Sequence, residues 1–130
     1  SDLKDKKVSG VVKAPASKKK VVKLAKPPVC TLNGIKWIVE YQTAESSPCV
    51  IEVQKNHTVY IFKCEGAVIQ IKGKVNSICL DKCKKTGLVF ENAVATCEIV
   101  NCDSVQAQVT GTVPAVAIDK SHGVKVYLSR

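Results

Sequence analysis

The sequence predicts an all-β solenoid, a parallel β-helix of about five coils, on the strength of three observations. The first is a fixed period. From Asn56 to Arg130 the chain repeats itself every 19 residues, so Val59, Ile78, Cys97 and Val116 fall in one column and Ile61, Leu80, Ile99 and Ile118 in another. Ten residues later come Ile69, Leu88, Ala107 and Val126, then Ile71, Phe90, Val109 and Leu128. The second is the spacing inside each unit. Apolar columns come in pairs two residues apart, which is strand alternation with one face in and one face out. The third is the length of the unit, which is too short for a pair of helices and rich in β-branched residues. One such unit cannot bury its own inward face, so neighbours must stack as parallel rungs. Val75, Val94 and Val113 are read as a fifth apolar column, and Cys64, Cys83, Cys102 and Ser121 as a sixth, of small buried residues.

Residues 1–26 differ in kind from the rest. They hold nine Lys and two Asp, a net of +7 out of the chain's +9. With no aromatic residue and no sustained period, this stretch reads as a disordered basic linker, and 27–130 as the folded domain. A basic arm for an acidic protein, nucleic acid or lipid surface is the other reading. Nucleic acid is set aside because the folded part is expected to offer no aromatic-plus-basic stacking face.

Lys26-Pro27-Pro28 closes the linker in an extended approach. Asn33-Gly34 is then expected to turn a hairpin between apolar flanks. Trp37, the only tryptophan, is expected to cap the first layer of the coil, where a large ring covers an otherwise open end. Gln42 to Cys49 reads as a polar loop and Val50 to Val53 as the next strand. Asn56-His57-Thr58 matches a glycosylation sequon, read as idle, and His57 as a loop residue rather than a base. Gly66, Gly73, Gly87, Gly111 and Gly123 are assigned to the corners of the coils.

Function is bounded by what is missing. No apolar run reaches the ~18 residues of a transmembrane helix, and no N-terminal segment reads as a signal peptide. Seven cysteines, an odd number with three in one core column, indicate free thiols and a cytoplasmic setting. Cys79 and Cys83 with His57 and His122 lack the usual ligand spacing, so no metal or other cofactor is assigned. No serine–histidine pair, phosphate-cradling loop or convergent carboxylate pair appears, so no catalytic residue is assigned and the chain is read as a non-enzyme. The outward columns are Tyr60, Cys79, Glu98, Ala117 and Gln70, Val89, Gln108, Tyr127; their mixed character suits a protein surface.

Several stretches are similar to one known family. They are Lys26-Pro27-Pro28-Val29, Gly34-Ile35-Lys36-Trp37-Ile38-Val39-Glu40 and Thr58-Val59-Tyr60-Ile61-Phe62-Lys63-Cys64. To these are added Ile69-Gln70-Ile71-Lys72-Gly73-Lys74-Val75-Asn76-Ser77-Ile78, Cys83-Lys84-Lys85-Thr86-Gly87-Leu88-Val89-Phe90, Glu98-Ile99-Val100-Asn101 and Val109-Thr110-Gly111-Thr112-Val113-Pro114. Together they resemble the C-terminal domain of adenylyl-cyclase-associated proteins over about 27–130. The resemblance implies a right-handed β-helix that binds monomeric actin, preferably ADP-actin, and promotes nucleotide exchange in the actin cytoskeleton. Family domains continue past Tyr127-Leu128-Ser129 with a further coil and a hairpin exchanged between subunits, whereas this chain stops at Arg130. The verprolin-homology motif is not visible upstream.

On this reading the residues assigned to actin contact are Lys72, Lys74, Asn76, Asp81, Lys84, Lys85, Glu91, Asn101, Gln106 and Gln108, all polar and outward or at corners. A homodimer is expected through the C-terminal edge at Val124, Val126 and Leu128, because a solenoid end presents unpaired backbone groups and an apolar layer. The alternative function is a GTPase-regulating module of the tubulin cofactor C type, which shares a related β-helix and supplies an arginine finger. Arg130 is the only arginine, and no finger motif surrounds it.

Overall fold

The structure, a computed structural model, describes residues 26–128. The expected basic linker lies outside the described residues except for Lys26. In chain order the strands are β1 (Val29–Asn33), β2 (Lys36–Glu40), β3 (Cys49–Glu52), β4 (Thr58–Phe62), β5 (Val68–Val75) and β6 (Ser77–Asp81). They continue with β7 (Gly87–Ala93), β8 (Thr96–Val100), β9 (Gln106–Val109), β10 (Ala115–Asp119) and β11 (Lys125–Leu128). One sheet runs β1-β2-β4-β6-β8-β10 and the other β11-β9-β7-β5-β3. Every pairing is parallel except β1 with β2. This is the expected parallel solenoid of about five coils, with one antiparallel strand added at its N-terminal end.

The predicted columns are the observed registers. Val59 pairs with Ile78 and Ile78 with Cys97, while Ile61 pairs with Leu80 and Leu80 with Ile99. On the second sheet Ile69 pairs with Leu88 and Ile71 with Phe90. All these side chains are buried, because each layer is covered above and below by its copy one rung away, about 4.8 Å distant. Trp37 heads the first column, opposite Val59, and packs half-buried against the core.

The cysteine column is a second internal ladder. The Cys83 and Cys102 thiols each point to a carbonyl on the preceding coil, Ile61 O and Leu80 O, both at 3.6 Å. Ser121 makes the same contact, its Oγ donating to Ile99 O at 3.4 Å. A hydroxyl replaces a thiol there because the position needs a small side chain with a donor. The flanking thiols and burial push the Cys83 thiol up from its ordinary value.

Three sequence expectations are corrected. The fifth column breaks after Val75, which pairs with Ala93 and not Val94. The register shifts between Ile71 and Lys74, where Gly73 sits at φ +101 with Val53 O against it. Between Ile71 and Val75 β5 carries one residue more than β7 does between Phe90 and Ala93, so Val75 keeps the inward parity of Ile69 and Ile71 while β7 changes parity after Phe90. Ala93 therefore enters the core and Val94 is 49% exposed. The hairpin turn is Gly34-Ile35, one residue later than Asn33-Gly34; Asn33 is the last strand residue, paired with Lys36, and Gly34 has φ +68. The corners are built less by glycine than expected. Gly87 opens β7 rather than bending a corner. Two columns of left-handed backbone are filled mostly by other residues: Tyr41, Lys63, Lys82, Asn101 and Lys120 directly after the strands, and Lys85 and Ser104 between Gly66 and Gly123.

The loop before β3 is ordered rather than merely polar. Thr43 caps a short 3-10 turn, Ala44–Ser46. The side chain of Gln42, buried, donates to Val29 O at 2.8 Å and fastens β1 to the first coil. His57 is also buried; its Nδ1 accepts from Trp37 Nε1 and from the Gln54 amide, both at 3.1 Å, which fixes the turn.

Candidate functional site

A solenoid buries its inward columns, so recognition falls to the outward ones. On the first sheet, Tyr60 and Phe62 are two apart on β4 and share the outward face. Their rings stack at 5.7 Å with an interplanar angle of 16°. Phe62 opposes Asp81 in register, which leaves Asp81 diagonal to Tyr60. Tyr60 donates its phenol hydrogen to Asp81 Oδ2 at 3.1 Å, and Asn101 Nδ2 donates to Asp81 Oδ1 at 3.3 Å. Both carboxylate oxygens are thus held. Burial and then the Asp81 hydrogen bond push the Tyr60 phenol up to about 12.

Lysines frame the rings. Lys36 Nζ lies 5.0 Å from the Tyr60 centroid and Lys63 Nζ 5.5 Å from that of Phe62. Tyr41 meets Phe62 edge to face at 6.2 Å, with Lys26 Nζ 5.9 Å from its ring. Each such cation–π contact is worth about 0.5–1 kcal/mol at an exposed site. The expectation that the folded part has no aromatic-plus-basic face is therefore overturned. The reason is positional: the left-handed corners at Tyr41 and Lys63 turn those side chains onto the face that Tyr60 and Phe62 already occupy. The outward parity of Phe62 was readable from its place one residue after Ile61. The φ values of Tyr41 and Lys63 had no sequence marker, because glycine is absent there.

The residues assigned to partner contact do not form one patch. Lys72, Glu91, Gln106 and Gln108 are exposed on the second sheet, where Gln108 follows Val89 and Gln70 along an outward column. Lys74 lies beyond the bulge in β5, registered with Asn92, and Asn76 follows between β5 and β6, its amide donating to His57 O. Asp81 and Asn101 belong to the aromatic cluster. Lys84 and Lys85 occupy the corner between the sheets, where Glu65, Lys84, Asp103 and His122 form a ladder of single bridges. Beside them is a groove of about 410 Å³ lined by Gly66, Val68, Lys85, Thr86, Ser104 and Gln106 among others.

At the C-terminal end the inward columns lose their cover. Ile118 is 49% exposed and Leu128 61%, while Val124 and Val126 stay half-buried. The edge assigned to dimer contact is thus an apolar layer that nothing among the described residues covers, and it extends to Ile118, a residue outside the expected set. Among the described residues no three His, Cys, Asp or Glu side chains gather into a metal-binding group, and no helix is long and apolar enough to cross a membrane. Arg130 lies outside the described residues.

The family described as "Adenylate cyclase associated (CAP) C terminal" matches residues 26–130. This chain belongs to that family. It is 49% identical to an adenylyl cyclase-associated protein of Dictyostelium discoideum over 134 aligned residues, covering 100% of this chain and 29% of that protein. It is 47% identical to adenylyl cyclase-associated protein 2 of Homo sapiens over 116 residues, 89% of this chain and 24% of the relative. The chain therefore spans less than a third of the length of these cyclase-associated proteins. The crystal structure of the cyclase-associated protein from Cryptosporidium parvum superimposes with a TM-score of 0.79 at 28% identity, over 85% of this chain and 71% of that one.

Proposed function

We propose that this chain binds monomeric actin, preferably with ADP bound, and promotes exchange of its nucleotide. The match to the cyclase-associated family across 26–130 is the observation that carries this reading. The surface is that of a binding module: side chains of both signs, aromatic rings and amides line the outward faces of the strands. Exchange is accelerated if the module binds the open, nucleotide-loose state of actin more tightly than the closed one. The cytoplasm is the setting this reading implies.

The contact is assigned to the second sheet, through Lys72, Glu91, Gln106 and Gln108, with Lys74 and Asn76 beside it. A homodimer through Val124, Val126 and Leu128 belongs to the same reading, since isologous pairing covers that layer without forming a fibre. Fluorescent-nucleotide release from ADP-actin tests the proposal. Reversing charge at Lys72 and Lys74 together should slow stimulated release and leave the unfolding temperature unchanged. Asp81→Ala, on the other sheet, serves as the comparison. If release is lost with Asp81→Ala and kept with the lysine reversals, the contact lies on the aromatic face; if this chain never stimulates release, the reading fails.

A further inference from the structure

The inward face of the first coil holds a pair of thiols from two different strands. Cys30 is on β1 opposite Val39, whose side chain points into the core, so Cys30 faces the same way. Nothing among the described residues stacks beyond β1, which leaves Cys30 exposed. Cys49 opens β3 on the other sheet and is 8% exposed. The two sulfurs meet across the end of the coil at 3.4 Å. Every other cysteine sits on a later coil, Cys79 half-buried and Cys64, Cys83, Cys97 and Cys102 buried.

We propose that Cys30 and Cys49 form an oxidation site: a hydroperoxide converts them to a disulfide that staples β1 and the first sheet to β3 and the second. Cys30 is the sulfur that solvent reaches. Burial and then the neighbouring Cys30 sulfur push the Cys49 thiol up to about 12, so Cys49 keeps its proton at neutral pH and acts second. In the first step the Cys30 thiolate attacks one peroxide oxygen, the O–O bond breaks, and hydroxide leaves and is protonated to water. Cys30 is then a sulfenic acid. In the second step the Cys49 sulfur attacks the Cys30 sulfur, the S–O bond breaks, and the departing hydroxide takes the Cys49 proton as water. Two thiols and one peroxide thus become one disulfide and two waters. The staple closes a short loop holding the hairpin and the 3-10 turn, and so restrains the N-terminal end of the solenoid against opening.

The test uses the full chain, fully reduced and then treated with a small excess of hydrogen peroxide; its intact mass is read, and it is then unfolded and blocked with maleimide. Peptide mapping should find Cys30 joined to Cys49, the intact mass lower by two hydrogens, and the other five cysteines as maleimide adducts. The unfolding temperature should rise by several degrees and return on reduction. Cys30→Ser, at an exposed position, should abolish both changes without unfolding the chain; Cys49→Ala provides a second variant. Overturning results are a Cys30 sulfinic acid with Cys49 still free, a disulfide between two chains through Cys30, or a temperature rise that persists in Cys30→Ser.

Discussion

Ile99 and Ile118 carry the same side chain, occupy one inward column and sit on adjacent rungs, yet Ile99 is fully buried and Ile118 is 49% exposed. Replacing each by alanine isolates what the covering coil contributes. At Ile99 three buried carbons are lost, about 2.4 kcal/mol of transfer energy at 0.8 kcal/mol per group. The cavity left between Leu80 and Ile118 adds about 1 kcal/mol, for a total of about 3.5 kcal/mol. At Ile118 about half of the transfer energy applies and no closed cavity forms, so the loss is about 1 kcal/mol. The difference of about 2.5 kcal/mol, at about 5 °C per kcal/mol for a domain of this size, separates the two variants by about 12 °C. Thermal unfolding followed by far-ultraviolet circular dichroism reads it directly. Equal losses would refute the uncovered C-terminal layer. A gap that closes as protein concentration rises would identify a second copy as the cover.

Alkaline pH tests the Tyr60–Asp81 contact. The phenol's pKa is raised from 10.0 to about 12 in the folded state, so its contribution to stability is complete below pH ~10 and lost as pH rises through ~12. Unfolding temperatures of wild type and Tyr60→Phe across this window should differ in slope, and superimposable profiles would discount the contact. Gly73→Ala should lower stability by about 2 kcal/mol, since φ is +101 and the new Cβ stands 3.0 Å from Val53 O. Gly34→Ala, at φ +68 in open space, should lose less in urea titration, and equal losses would remove the close approach as the cause. Lys82→Val, a β-branched residue at φ +57, should lower stability by about 1–2 kcal/mol, whereas Lys82→Asn should not. No change with valine would mean that the corner relaxes out of the left-handed region.

How much was legible in the sequence depends on whether a feature repeats. The columns through Val59, Ile61, Ile69 and Ile71 follow from one constraint, that each coil must present its apolar face to the next, and period and parity express that constraint in residue types. The serine at position 121 of the cysteine column was readable for the same reason. Departures from the period were not. Gly73 inserts one residue into β5, and only the pairing partners show that Ala93 then enters the core and Val94 leaves it. The aromatic cluster joins Lys36, Tyr41, Tyr60, Phe62 and Asp81 from successive coils and a left-handed corner, and none of these is adjacent in sequence to all the others. The pairing of Cys30 with Cys49 likewise depends on β1 turning back antiparallel at the coil end. The sequence by itself determined the stack, because hydrophobic burial acts on every repeat alike. Only the tertiary structure decided which outward residues meet, because that depends on backbone twists and end effects that no single residue type encodes.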